Sequence, residues 1–266
     1  MVLQSLFKLS LPGRPVVTAV LSGLLLVLLA LPVQAQNLRI VHCLFGCPEG
    51  AAADNQLLLR PIYALSYNSQ HKSADWVAYR VTAETVGIAS SLSRQARVDE
   101  FVEQTLDSAD FSTAAELNMV QAHYAPLVNF AGTPYWNDVN YLSNAVARSA
   151  SLSQGAWYGL NWAVRNLVNR QAELYVLTGP LYEQDAPGIT LPIDKPHRVP
   201  DGFYKVVLTP DGEVAGFRFA QDTSAGIHHC NLRASIAELE AATGLNFFPD
   251  RNRPLSETLY SSLGCF

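Results

Sequence analysis

The chain has 266 residues, 49% of them hydrophobic and 15% charged, with a formal net charge of −5. That balance excludes a disordered or fibrous protein and is enough for one large buried core. An acidic chain has no general attraction for polyanions, so a site for one needs its own cluster of basic side chains.

Lys8 and Arg14 precede an uncharged run from Val16 to Leu31, followed by Pro32-Val33-Gln34-Ala35. A positive start, an apolar stretch and a small-residue exit read as a secretory signal over residues 1–35, cleaved after Ala35. A membrane anchor is the alternative, but sixteen residues fall short of the roughly 20 that a span needs, and no charged stop follows. Cleavage predicts a secreted or periplasmic protein without stable membrane association. It carries 16 Lys+Arg against 23 Asp+Glu, a net charge near −7. Cys43, Cys47, Cys230 and Cys265 are an even set, which in an exported chain favours disulfides. Of the possible pairings, Cys43–Cys47 with Cys230–Cys265 needs the shortest closures. The alternative is half a zinc site at Cys43 and Cys47, with His228-His229-Cys230 as a further His/Cys group.

Leu57 to Tyr67 alternates apolar and polar residues and predicts a strand, with a turn at Asn68-Ser69. Asp75–Val81 is a second strand, giving an antiparallel hairpin in which Trp76 and Tyr79 are core. Residues 84–117 are polar and weakly patterned and read as loop, where Arg94 and Arg97 are candidates for phosphate contact. A strand carrying His123 follows. A helix begins near Ser153, since Trp157, Leu160, Val164, Leu167 and Val168 recur at three- and four-residue steps. Ser153 stands at the N-cap position. Ser153, Trp157, Asn161 and Arg165 form a stripe along one side of that helix. Leu174–Thr178 is a buried strand, ended by Gly179-Pro180, and a proline-rich loop runs on through Pro200. Gly202–Leu208 and Val214–Phe219 make a hairpin around Pro210-Asp211-Gly212. Ala234–Thr243 is a short helix stopped by Gly244. No repeat or linker divides residues 36–266, which predicts a single domain.

The chain has no phosphate-cradling Gly-Lys loop, no dinucleotide fingerprint and no His-Glu-x-x-His. Ser151-Leu152-Ser153-Gln154-Gly155 comes within one residue of a hydrolase nucleophile elbow. An elbow needs a strand running into the turn, whereas Arg148-Ser149-Ala150 reads as polar loop.

A different set of segments occurs in one order along the chain. It comprises Cys43-x3-Cys47-Pro48, Trp76-Val77-Ala78-Tyr79, His123 with Ala125-Pro126-Leu127, and Asn140-Tyr141-Leu142-Ser143-Asn144. Gln154-Gly155-Ala156-Trp157, Thr178-Gly179-Pro180 and Lys205-Val206-Val207 complete it. In this the chain resembles the DNA/RNA non-specific endonucleases. The resemblance implies an α+β fold, with a ββα-metal (His-Me finger) nuclease core within a mainly antiparallel sheet flanked by helices. It implies metal-dependent hydrolysis of DNA and RNA phosphodiester bonds, with His123 as general base and Arg165 as the second catalytic residue. Arg94 and Gln121 would face the substrate phosphate. Ser153, Asn144 and Asn161 would stand where Mg²⁺, or Mn²⁺, is held.

The chain departs from the family pattern at the chemistry. Val120-Gln121-Ala122-His123 replaces Asp-Arg-Gly-His, Ser153 replaces a metal-binding asparagine, and Asn161 replaces a glutamate. One lost electrostatic donor typically lowers a rate by on the order of 10²–10³. The expectation is therefore weakened nuclease activity; the alternative is a catalytically inactive module of the same fold that binds nucleic acid or a protein partner.

Overall fold

Period-two alternation of bulky residues builds the centre of this protein. A computed structural model describes residues 39–183, 188–195, 197–251 and 254–266; the expected signal, residues 1–35, lies outside the described residues. In chain order the elements are β1 (Gln56–Leu59), β2 (Ala64–Asn68), β3 (Ser73–Thr82), α1 (Ser108–Ala114), β4 (Met119–His123) and β5 (Ala145–Ser149). Then follow α2 (Ala150–Gln154), α3 (Ala156–Val168), β6 (Glu173–Leu181), β7 (Ile189–Thr190), β8 (Arg198–Val199), β9 (Gly202–Leu208), β10 (Val214–Ala220) and α4 (Ile236–Thr243). Arg39–Phe266 forms one compact unit. No helix among the described residues is long and apolar enough to cross a membrane.

The main sheet runs β1-β2-β3-β6-β9-β10, with every neighbouring pair antiparallel. Both its faces are buried. Val77, Tyr79, Val176, Phe203, Val207, Phe217 and Phe219 meet Trp157, Leu160, Val164 and Leu167 of α3. Trp76, Ala78, Tyr175, Leu177, Tyr204, Val206 and Leu208 form the opposite core with Leu239 of α4 and Phe247. Alternating side chains sort the strands between these cores. By the same alternation Lys205, between Tyr204 and Val206, falls on the α3 side with Phe203 and Val207. β4 and β5 form a separate two-stranded ribbon that runs into α2 and α3, the expected ββα unit within an α+β fold.

Several elements differ from expectation. The run from Leu57 to Tyr67 is two strands, because the chain turns at Arg60–Tyr63, where Arg60 N–H donates to Tyr63 O at 2.8 Å. Residues 84–117 contain α1, seven residues held by a capping box between Asp107 and Asp110. Lys195 Nζ lies 2.7 and 2.8 Å from these two carboxylates. Arg148 and Ser149 lie in β5, paired with Val120 and Met119, rather than in a loop. The strand at Leu174 continues through Gly179-Pro180 to Leu181. Proline is tolerated there because pairing with β3 ends at Thr178, and only β9 continues alongside. A Cβ at Gly179 would collide with Asp75 O and the Tyr204 ring.

Cys43–Cys47 and Cys230–Cys265 are both disulfides, with Cα–Cα distances of 4.9 and 5.1 Å. With all four sulfurs bonded, the zinc alternative is overturned. Of its nearby histidines, His229 has Nε2 3.2 Å from Leu263 O.

Candidate active site

The ribbon and the following helices bring the chemistry-bearing residues together. Asn144 closes the ribbon beside His123. Its Oδ1 accepts from Ala125 N–H at 2.9 Å, and its Nδ2 donates to Ala125 O at 3.1 Å and Val139 O at 2.9 Å. A fully buried amide committed to three backbone groups holds the strand end in place. His123, opposite Ala145 in the ribbon, is thereby fixed, and its Nε2 is buried with no hydrogen-bond partner among the described residues. Burial first, then the positive charges of Arg148 and Arg94, lower its pKa to about 4. The ring is neutral at pH 7. Gln121 lies two residues earlier, on the same ribbon face as His123 and opposite Ala147.

Arg94 is exposed, with one weak tie of 3.4 Å to Ala89 O. Its loop is anchored by buried Asp99, which takes Arg60 Nη2 at 2.6 Å and Ser143 Oγ at 2.5 Å. The backbone N–H groups of Arg97 and Leu142 add bonds of 2.8 Å to Asn140 O and Arg97 O. Arg97 itself turns away to Asp138, at 3.3 Å.

Ser153 does not cap the long helix. Ser149 caps α2 by accepting Leu152 N–H at 3.2 Å, and Gly155 separates α2 from α3. Ser153 sits inside α2, where its Oγ accepts from Arg148 Nε at 3.2 Å. β5 does run straight into α2, contrary to the loop expected there. Even so, Ser153 is on the helix and faces a guanidinium rather than a base, so no nucleophile elbow forms.

Two cations that sequence reasoning did not assign dominate the site. Arg148 is 3% exposed. It donates from Nη2 to His123 O at 3.2 Å, and its Nη1 is buried without a hydrogen-bond partner among the described residues. Its guanidinium lies 3.9 Å from the Trp157 ring centre and 5.2 Å from that of Phe203. Burial pulls its pKa down to about 9. Lys205, 0% exposed, has Nζ 3.8 Å from the same Trp157 ring centre and donates to Asn161 Oδ1. Burial, and then the charges of Arg148 and Arg165, hold its pKa well below the ordinary lysine value. Arg165, half-buried on α3, stands 5.9 Å from the Tyr158 ring centre. Among the described residues, none of these three cations is ion-paired with a carboxylate. The only sequence signal for the pair was a lysine inside an otherwise apolar strand and an arginine in a five-residue one.

These residues do not fit a divalent metal. Mg²⁺ and Mn²⁺ take oxygen ligands, carboxylates above all. Here the Ser153 hydroxyl faces Arg148, the Asn161 carbonyl faces Lys205, and the Asn144 carbonyl is held by Ala125. A guanidinium and an ammonium beside the remaining lone pairs would repel a dication. What the cluster suits is an anion with several oxygens, placed near a neutral imidazole.

The sequence model of the DNA/RNA non-specific endonuclease family matches residues 46–253. A nuclease of Serratia marcescens is 37% identical over 215 residues, covering 77% of this chain and 79% of its own length. A nuclease of Nostoc is 24% identical over 246 residues, with 84% and 86% covered. Human mitochondrial endonuclease G is 28% identical over 214 residues, with 73% and 70% covered. In fold, the chain is similar to a chain of a solved EndoG/EndoGI complex, at a TM-score of 0.66 and 23% identity, over 75% of this chain and 88% of that one. With its ββα unit, its His123 strand and these relatives, the chain belongs to the DNA/RNA non-specific endonuclease family.

Proposed function

We propose that the protein is an exported endonuclease that hydrolyses phosphodiester bonds of DNA and RNA slowly, with His123 as general base. The observation that carries this reading is the neutral, unpartnered Nε2 of His123 beside cations that lack a carboxylate. In the proposed step His123 Nε2 takes a proton from water as the water oxygen bonds to phosphorus. The leaving oxygen then departs and is protonated by solvent. Arg165 and Arg94, both open to solvent, bind the phosphate oxygens, with Gln121 beside His123 as a neutral donor. Tyr158 and Trp162, exposed one turn apart on α3, offer faces for base stacking, which tolerates any sequence. The slow rate follows from the missing metal donors and the lost arginine at position 121. Export is supported by the segment 1–35 and by two disulfides.

A second reading, a non-catalytic module that binds nucleic acid, is favoured by one observation: Arg148 and Lys205 occupy the lone pairs of Ser153 and Asn161. Plasmid nicking and RNA degradation by purified protein, run with His123→Ala, separate the two. Cleavage lost in His123→Ala supports the endonuclease. Cleavage unchanged in that variant overturns the assigned base, and no cleavage by the unaltered protein selects the module.

A further inference from the structure

Buried charges without partners are rare because desolvating an ion is expensive unless an opposite charge or hydrogen bonds compensate. Here two cations are buried on one indole ring, with two hydrogen bonds from Arg148, one from Lys205 and, among the described residues, no carboxylate partner. Arg148 Nη1 is buried and unmet, and so is His123 Nε2 nearby. Lys205 stands where strand alternation calls for an apolar residue, between the core side chains Phe203 and Val207. Both cations hold the oxygen atoms of the residues that occupy the family's metal positions, Ser153 and Asn161. Arg94 and Arg165, which reach solvent, provide an approach, and Arg148 and Lys205 lie deeper, in a medium of low dielectric where an anion beside them favours their charged forms.

We propose that Arg148 and Lys205 replace the divalent cation of this fold from within the chain, so that the site binds a phosphodiester anion without metal. The proposal rests on the reading of this site as one for phosphodiesters, but not on cleavage. An oxyanion beside Arg148 gives Nη1 its missing acceptor and gives the buried charges their counterion. Cation–π contact with Trp157 holds both groups in place while the anion is absent.

The test is fluorescence anisotropy of the purified protein with a labelled phosphorothioate DNA oligonucleotide, in excess chelator and in excess Mg²⁺. The expected result is the same affinity in both. Arg148→Gln and Lys205→Met should each weaken binding by about tenfold or more, as loss of a charge-assisted contact does. Thermal melts establish that the variants fold; if Arg148→Gln does not, Arg148→Lys takes its place and is expected to weaken binding less. Titration of the protein with Mn²⁺ alone should give no binding heat, and the triple change Arg148→Gln, Ser153→Asn, Asn161→Glu should create it. Binding that disappears in chelator, or full affinity in both single variants, overturns the proposal. Chelator-resistant, Arg148-dependent binding without any nicking upholds it while refuting hydrolysis.

Discussion

Asn161→Leu removes the oxygen to which Lys205 donates, at a place where both residues are buried. A hydrogen bond to a charged group contributes about 1.5–3 kcal/mol, and an acceptor lost from a buried donor exposes the full desolvation penalty. Two events limit the loss. The substitution keeps the forked outline of the side chain, and Lys205, already pushed far down by burial and two neighbouring cations, can shed its proton. The expected destabilisation is therefore roughly 1.5–3 kcal/mol, which for a domain of this size lowers Tm by about 3–12 °C. Calorimetric unfolding at pH 7 measures it. The decisive quantity is the coupling with Lys205→Met, which removes the ammonium that Asn161 serves. If the contact is what holds the pair, Asn161→Leu should be much less damaging in the Lys205→Met background, with a coupling of at least about 0.5 kcal/mol. Strictly additive effects would refute the reasoning and reduce Asn161 to an ordinary helix residue.

His123, with a folded pKa of about 4 against 6.5 in the unfolded chain, gives an unfolded state that binds more protons between those values. Its contribution, at most ~3 kcal/mol, is present above pH 6.5 and lost as pH falls toward 4. Urea unfolding at pH 7 and 4.5 should show a smaller drop in His123→Gln than in the parent; equal drops contradict the burial of that ring. The same neutral ring should keep any cleavage active down to about pH 4, and an acid limb near pH 6.5 in the rate profile would count against it. Removing the Cys230–Cys265 bond by serine substitution should lower stability by about 4 kcal/mol, from the chain entropy of a loop closed across 35 residues. Asn144→Ala should destabilise by about 2–4 kcal/mol in denaturant titration, with oligonucleotide affinity unchanged at temperatures where it is folded. Lost affinity in the folded variant would return Asn144 to the ligand set.

Much of the fold was legible in the sequence. α3 announces itself through Trp157, Leu160, Val164 and Leu167, and the β9–β10 hairpin through aromatic and β-branched runs around Asp211-Gly212. Short elements were not. α1 spans only seven residues, mostly Ser, Asp, Thr and Ala, with Phe111 and Ala114 its apolar contacts to the core, too few for a periodic stripe; the Asp107–Asp110 capping box and Lys195 hold its start. β5 was hidden because Arg148 and Ser149 read as a polar loop, and only pairing with β4 makes them a strand. Family resemblance pointed to His123, Asn161 and Arg165 as candidates. Arg148 and Lys205 escaped notice because a cation in a strand ordinarily faces water. That β9 is an interior strand, covered on both faces, depends on long-range pairing with β6.

Lys205 has a consequence beyond charge. β9 is apolar on both faces, and such a strand has little to tell it which way to sit between its neighbours. Sliding β9 by one residue would turn Lys205 toward Trp76, Leu177 and Leu239, where hydrocarbon surrounds it, and would take it from Asn161 and Trp157. The misaligned sheet would thus bury an amine with no acceptor. The residue that makes the site cationic also tells the middle of the sheet which pairing is correct.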